Sequence, residues 1–324
     1  MLRKFLIAAL ATLGCTLSYA QEINFGIIST EAAANLKADW QPILDDMEKK
    51  TGYKVKAYFA SDYAGIIEAM RFKKVDVAWM GNKSAMEAVD RAGGEVFAQT
   101  TYADGSPGYW SLLITHIDSP YKTLDDVLKN AKNINFGLGD PNSTSGTAVP
   151  GYYVFALNKV DPKTAFKTAR SANHEANLMA VASKQVDVAT NNTEVLDKVE
   201  KRSPEIAKNI RVIWKSPLIP ADPMVWRADL NADMKKKVKE FFLSYGTATN
   251  DQGKLEMARL NKLTYGLFKN SSNTQLVPIR QLELAKEKLK IEADANLAAA
   301  DKEARIAEID KKLAALNTSL ASAK

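Results

Sequence analysis

Three hydroxyl side chains in a row, Ser143, Thr144 and Ser145, stand in Asp140-Pro141-Asn142-Ser143-Thr144-Ser145-Gly146, between the strand pattern Ile134, Phe136, Leu138 and a helix start. A helix beginning there points its free N–H groups and the positive end of its dipole the same way as the hydroxyls, forming an anion cradle of neutral donors. The plainer alternative is that one of the three only caps the helix. Glu194 and Asp222 are the complementary candidates. Glu194 follows a strand end directly, and Asp222 lies between Pro220 and Pro223. At one cleft the two would hold a cation or an ammonium group through charge-assisted hydrogen bonds; elsewhere they are solvated acids. Tyr63, in Asp62-Tyr63-Ala64-Gly65, and Tyr109, in Ser106-Pro107-Gly108-Tyr109-Trp110, can line a ligand and donate a hydroxyl, or pack in the core. His174, in Asn173-His174-Glu175, can cap a helix, meet an anion as imidazolium, or face water.

Strand and helix patterns alternate ahead of these residues. Ile23–Ile28, Val55–Phe59 and Val75–Trp79 read as strands, separated by helical patterns over Glu31–Lys50 and Ala64–Phe72, the order of a parallel α/β sheet. A long apolar run, Tyr109–Ile117, ends in Asp118-Ser119-Pro120, where the chain is expected to enter a second lobe. Strands at Ile134–Leu138, Val186–Ala189 and Ile210–Trp214 continue the theme, and the proline-rich Lys215–Pro223 reads as a return crossing. The expected division is a signal peptide (1–20), lobe 1 (21–116), lobe 2 (117–216), a return to lobe 1 (217–276) and a C-terminal helical, dimerisation segment (277–324). Val75-Asp76-Val77-Ala78 and Val186-Asp187-Val188-Ala189 echo one another, and matching strand ends would present loops to one cleft between the lobes. Ile306, Ile309, Leu313, Leu316 and Leu320 form an a/d seam, for pairing with a second copy or for lying on the protein's own surface.

The N-terminus carries Arg3 and Lys4, an apolar stretch from Phe5 to Leu17 and Ser18-Tyr19-Ala20, the pattern of a cleaved secretory signal. The only cysteine, Cys15, lies within it in a poor lipidation context, so no disulfide framework is expected. Losing Arg3 and Lys4 takes the net charge from +6 to +4, spread through mixed Lys/Glu stretches without the basic face that nucleic-acid binding requires. No Gly-x-Ser-x-Gly elbow, P-loop, dinucleotide fingerprint or His-Glu-x-x-His occurs, and two histidines without a mature cysteine argue against zinc. No cofactor or metal is expected.

Asn24–Glu31, Asp62–Ile67, Ala103–Trp110, Gly139–Gly146, Ala189–Glu194 and Trp214–Pro220 together resemble the phosphonate-binding periplasmic proteins of ABC importers, over about Ile23 to Leu284. The resemblance implies a type II periplasmic binding protein fold, two lobes that close on ligand, and delivery to an inner-membrane permease. It implies phosphonate binding by Ser143, Thr144, Ser145 and His174. It further implies that Glu194 and Asp222 hold the amino group of 2-aminoethylphosphonate, and that Tyr63 and Tyr109 line the pocket. Ala221 departs from the pattern, in which glycine precedes the aspartate. Two other readings stay open: a receptor for phosphate, phosphite or sulfate, and a periplasmic hydrolase using Ser143 or Thr144 as nucleophile with His174 as base.

Overall fold

The computed structural model describes residues 22–322, so the signal-peptide reading of residues 1–20, with Cys15, lies outside the described residues. In chain order the strands are β1 (Glu22–Ile27), β2 (Lys54–Phe59), β3 (Val77–Trp79), β4 (Gly94–Gln99), β5 (Gly108–Tyr109), β6 (Ser111–His116) and β7 (Asn135–Leu138). They continue as β8 (Thr168–Ser171), β9 (Val188–Asn192), β10 (Ile210–Lys215), β11 (Ile219–Pro220), β12 (Pro223–Arg227) and β13 (Lys269–Asn270). Two sheets share one order, β2-β1-β3-β12-β4 with β13 at the edge, and β8-β7-β9-β6-β10. Within the five-strand order common to both, one strand runs antiparallel to its neighbours, β12 in the first sheet and β6 in the second, and the edge strand β13 is antiparallel to β4 as well. β12 and β6 are the strands that have just crossed from the other lobe. The crossings lie side by side, because β5 and β11 pair antiparallel. This is the two-lobed α/β architecture, with a C-terminal helical extension, that the sequence leads one to expect.

One boundary moves. Ser111–His116 pairs with β9 and β10, so the first crossing runs before Ser111 rather than at Asp118-Ser119-Pro120. The apolar run after Tyr109 follows the crossing instead of preceding it; a strand covered on both faces reads as continuously apolar in either lobe. Its alternate residues supply two cores, Leu112 and Ile114 packing with Leu178 and Ala189 on one face, Leu113 with Phe136 and Phe155 on the other.

The echo is structural: β3 and β9 hold the same place in their sheets. Asp76 accepts the Asn24 N–H at 2.9 Å, and Asp187 accepts the Asn135 N–H at 2.7 Å. The partner segments read Ile23-Asn24-Phe25-Gly26 and Ile134-Asn135-Phe136-Gly137, a second repeat. Each aspartate thus ties the start of its own strand to that of the parallel strand beside it, β1 in one lobe and β7 in the other. The opposite, carboxyl ends of these strands face the cleft.

At the C-terminus, the helix Val277–Ala293 is followed by Ala299–Ser322, which folds back antiparallel along it. Gln281 donates to Asn317 at 2.7 Å and Lys288 pairs with Asp310 at 2.7 Å. Ile309, in the middle of the a/d seam, is buried, as is Ile291. The first partner of the seam is therefore the preceding helix of the same chain. No helix among the described residues is long and apolar enough to cross a membrane.

Gly139 and Gly146 permit the return of the chain behind the hydroxyl cluster. Gly139 N–H donates to Gly146 C=O at 3.1 Å, and a Cβ on Gly139 would lie 2.4 Å from the Gly146 Cα. Gly139→Ala is expected to lower unfolding free energy by about 1–3 kcal/mol, as overpacking against backbone does. Gly151→Ala, whose Cβ meets only Lys286 side-chain atoms at 3.5 Å and beyond, is expected to be neutral. Denaturant melts of the two variants check the pair.

Candidate ligand-binding site

The strand ends bring together Ser143, Thr144, Ser145, His174, Glu194, Asp222, Tyr63 and Tyr109, all buried between the lobes. Ser143 is indeed a cap: its Oγ accepts the Gly146 N–H at 3.0 Å, at the start of a wide helical turn closed by Ala148 N–H to Ser143 C=O at 3.0 Å. Capping does not exhaust it, since His174 Nε2 lies 3.1 Å from the same Oγ and 3.4 Å from Ser145 Oγ. Ser145 Oγ also accepts from Asn192 Nδ2 at 3.1 Å. Thr144 reaches the other lobe, where its Oγ1 accepts the Lys83 N–H at 2.9 Å in the first turn of the helix Asn82–Arg91. Tyr63 opens the helix Tyr63–Arg71, and its N–H donates to Asp140 at 3.1 Å. With His174 and Glu194 in the first turns of their own helices, several helix N-termini converge on one region, which favours an anion.

His174 is neutral near pH 7, because burial pushes its imidazole down to about 4 against a small opposing pull from Glu31. That corrects the imidazolium option: desolvation of the ring outweighs its one nearby carboxylate. Asn173, not His174, caps this helix, accepting the Ala176 N–H at 2.8 Å.

The two carboxylates come from opposite lobes. Glu194 follows β9 in lobe 2, and Asp222 precedes β12 in lobe 1. Burial raises Glu194 to about 7 in spite of Lys198 and a hydrogen bond from Tyr102. Asp222 is pushed well above the usual carboxylate range, first by burial and then by Glu194, and its Oδ1 has no hydrogen-bond partner. Tyr109 faces both Asp222 and Ser145, so its ring spans the two halves of the site.

Several residues here were not singled out from the sequence. Tyr102 donates to Glu194 Oε1 at 2.8 Å. Glu31, after β1, pairs with Lys198 at 2.8 Å and with Arg202 from the opposite lobe. Glu175 accepts Ala32 N–H at 2.6 Å and Asn35 Nδ2 at 2.8 Å. Lys198 had one readable signal, its place four residues after Glu194 on a helix. Glu31 and Tyr102 had none, because their partners are distant in the chain.

Residues 25–272 match the periplasmic substrate-binding proteins of ABC phosphonate transporters. The chain is 56% identical over 291 residues to the phosphonates-binding periplasmic protein of Escherichia coli (strain K12), covering 90% of this chain and 84% of that one. It superimposes with a TM-score of 0.90 on a binding-protein component of an ABC phosphonate transporter from Pseudomonas aeruginosa, at 55% identity, over 94% of this chain and 99% of that one. A Prochlorococcus marinus protein in complex with methylphosphonate shares the fold at a TM-score of 0.70 and 22% identity, over 82% and 99% of the two chains.

A carboxyl raised by folding contributes stability that is full below its unfolded pKa and lost as pH rises through the folded one. For Glu194 that window runs from about 4.5 to about 7. Buried His174 acts in the opposite sense, its contribution being lost as pH falls through about 4. Glu194→Gln isolates the first effect. The ligand-free variant is expected to be more stable than wild type at pH 8 by something on the order of 2 kcal/mol, and the two curves to converge near pH 4.5. Urea melts across that range measure it.

Proposed function

The chain belongs to the periplasmic phosphonate-binding proteins of ABC importers, and from that membership we propose that its preferred ligand is an aminoalkylphosphonate, 2-aminoethylphosphonate first among them. The phosphonate end, with about −1.5 to −2 charges by analogy with a phosphate monoester, lies against Ser143, Thr144, Ser145, neutral His174 and the surrounding N–H groups. Neutral donors meet such a charge by geometry without burying a fixed cation. The ammonium end lies between Glu194 and Asp222, and Tyr63 and Tyr109 line the space between. The lobes close over the ligand and present it to the inner-membrane permease.

The observation that carries this reading is the buried carboxylate pair, with Asp222 Oδ1 unpartnered. A ligand with only an oxyanion leaves those carboxylates without a cation, so near neutrality they take up protons instead. Receptors for phosphate or phosphite need no such pair. The hydrolase reading has less support: His174 Nε2 approaches Ser143, but Nδ1 has no partner to orient the ring as a general base. The proposal includes a homodimer on the C-terminal hairpin, half-buried Ile306 and Leu313 meeting a second copy beside Ile309; light scattering at one subunit mass would remove that part.

Calorimetry of wild type, Glu194→Gln and Asp222→Asn tests the ligand assignment. Each variant is expected to lose about tenfold to a hundredfold in affinity for 2-aminoethylphosphonate, as removal of a charge-assisted bond does, while methylphosphonate changes little. Equal losses for both ligands, or phosphate binding as tightly as 2-aminoethylphosphonate to wild type, would contradict it.

A further inference from the structure

The stretch Thr100–Tyr102, on the lobe 1 side of the first crossing, touches both carboxylate-bearing segments. Thr100 N–H and Oγ1 donate to the Asp222 carbonyl at 2.9 and 3.3 Å. Two residues on, the Tyr102 hydroxyl crosses to lobe 2 and donates to Glu194 Oε1 at 2.8 Å, a contact buried at both ends. The stretch is itself pinned. Tyr102 forms an isolated antiparallel bridge with Tyr265, and Gly266 N–H donates to Thr101 C=O at 2.8 Å. The Tyr102 ring sits 6.1 Å from that of Tyr109 and 6.3 Å, edge-on, from that of Tyr265, which leaves it little freedom to turn.

We infer that Tyr102 is a positioning residue for ligand selection: from lobe 1 its hydroxyl fixes the lobe 2 carboxylate Glu194, so the ammonium acceptor is fully organised only when the lobes meet. The inference rests on the reading of Glu194 as an amine acceptor. A hydroxyl that only donates to one carboxylate oxygen favours its ionised form and leaves the other oxygen for a ligand. Selection and closure are thereby coupled through one bond, since separation of the lobes removes Tyr102 from Glu194.

The other groups around Glu194 set the background. Lys198 on its own helix favours the ionised form, while Asp197 on that helix, Glu31 after β1 and Asp222 beside β12 oppose it. The phenols of Tyr63, Tyr109 and Tyr265 face it as well, and burial keeps all three well above their ordinary range, so they stay neutral. Loss of the Tyr102 hydroxyl therefore moves the ionisation of Glu194 upward in pH, with no other donor side chain bonded to that carboxylate among the described residues.

Tyr102→Phe keeps the ring contacts and removes only the hydroxyl. Wild type and variant are titrated with 2-aminoethylphosphonate and with methylphosphonate between about pH 6 and pH 9, spanning the carboxyl ionisation. Tyr102→Phe is expected to weaken the amine ligand about tenfold or more, as loss of a hydrogen bond to a charged group does, with methylphosphonate within about twofold. The pH midpoint for amine-ligand affinity is expected to rise. In a Glu194→Gln background the same substitution is expected to leave the selectivity between the two ligands unchanged. Should Tyr102→Phe fail to fold, 3-fluorotyrosine at position 102, a stronger donor of nearly the same size, is expected to lower the midpoint instead. A wild type that does not distinguish the two ligands would overturn the reading of Glu194 itself. A wild type that does, beside a variant with the same selectivity and the same midpoint, would overturn the role of Tyr102 alone.

Discussion

Two carboxyl groups buried side by side without a committed cation are the constraint around which this molecule is organised. Removing one carboxylate from water costs several kcal/mol unless it is paired, and a second beside it adds repulsion. Burial raises both Glu194 and Asp222, so that each holds a proton further towards neutrality than an exposed carboxyl does. The cation one helical turn from Glu194 cannot relieve them fully, because Lys198 is already paired with Glu31 at 2.8 Å. Under the proposed ligand assignment, a ligand that carries its own cation resolves the conflict, and one without it does not.

The same constraint gives a reason for the neutrality of the proposed anion cradle. A fixed cation among Ser143, Thr144 and Ser145 would pair with the carboxylates across the site and remove the need for a ligand amine. Hydroxyls, helix N-termini and a neutral imidazole supply donors without that short circuit. Both groups of residues draw hydrogen bonds from both lobes. Thr144 takes its partner N–H from lobe 1, Asp140 takes that of Tyr63, and Glu194 takes the hydroxyl of Tyr102. The buried ion pair of Glu31 with Lys198, and the more exposed one with Arg202, hold the lobes together nearby. Such pairs contribute more to geometry than to net stability, since their attraction is offset by desolvation.

Much of this was legible in the chain because it is local. Strand and helix periods, the hydroxyl run and the proline-rich return crossing each depend on neighbours in sequence, and the repeated Val-Asp-Val-Ala marks equivalent strands of two sheets. The first crossing was misplaced because β6 is apolar on both faces, a pattern that carries no information about which lobe buries it. His174 was legible as a site candidate but not in its charge state, which burial decides. Tyr102 and Glu31 were invisible for another reason. Their partners, Glu194 and Lys198, are brought to them only by the pairing of two crossings, and no periodicity encodes that.

Proton release on binding is the most direct test of the central claim. Calorimetry at pH 7 in buffers of different ionisation enthalpy counts the protons released, and methylphosphonate serves as the reference for the phosphonate end. An ammonium arriving between Glu194 and Asp222 must drive off protons that those carboxyls held, so 2-aminoethylphosphonate is predicted to release about one proton more than methylphosphonate. Equal proton release by the two ligands would mean that the amine does not meet the buried pair, and would contradict the account.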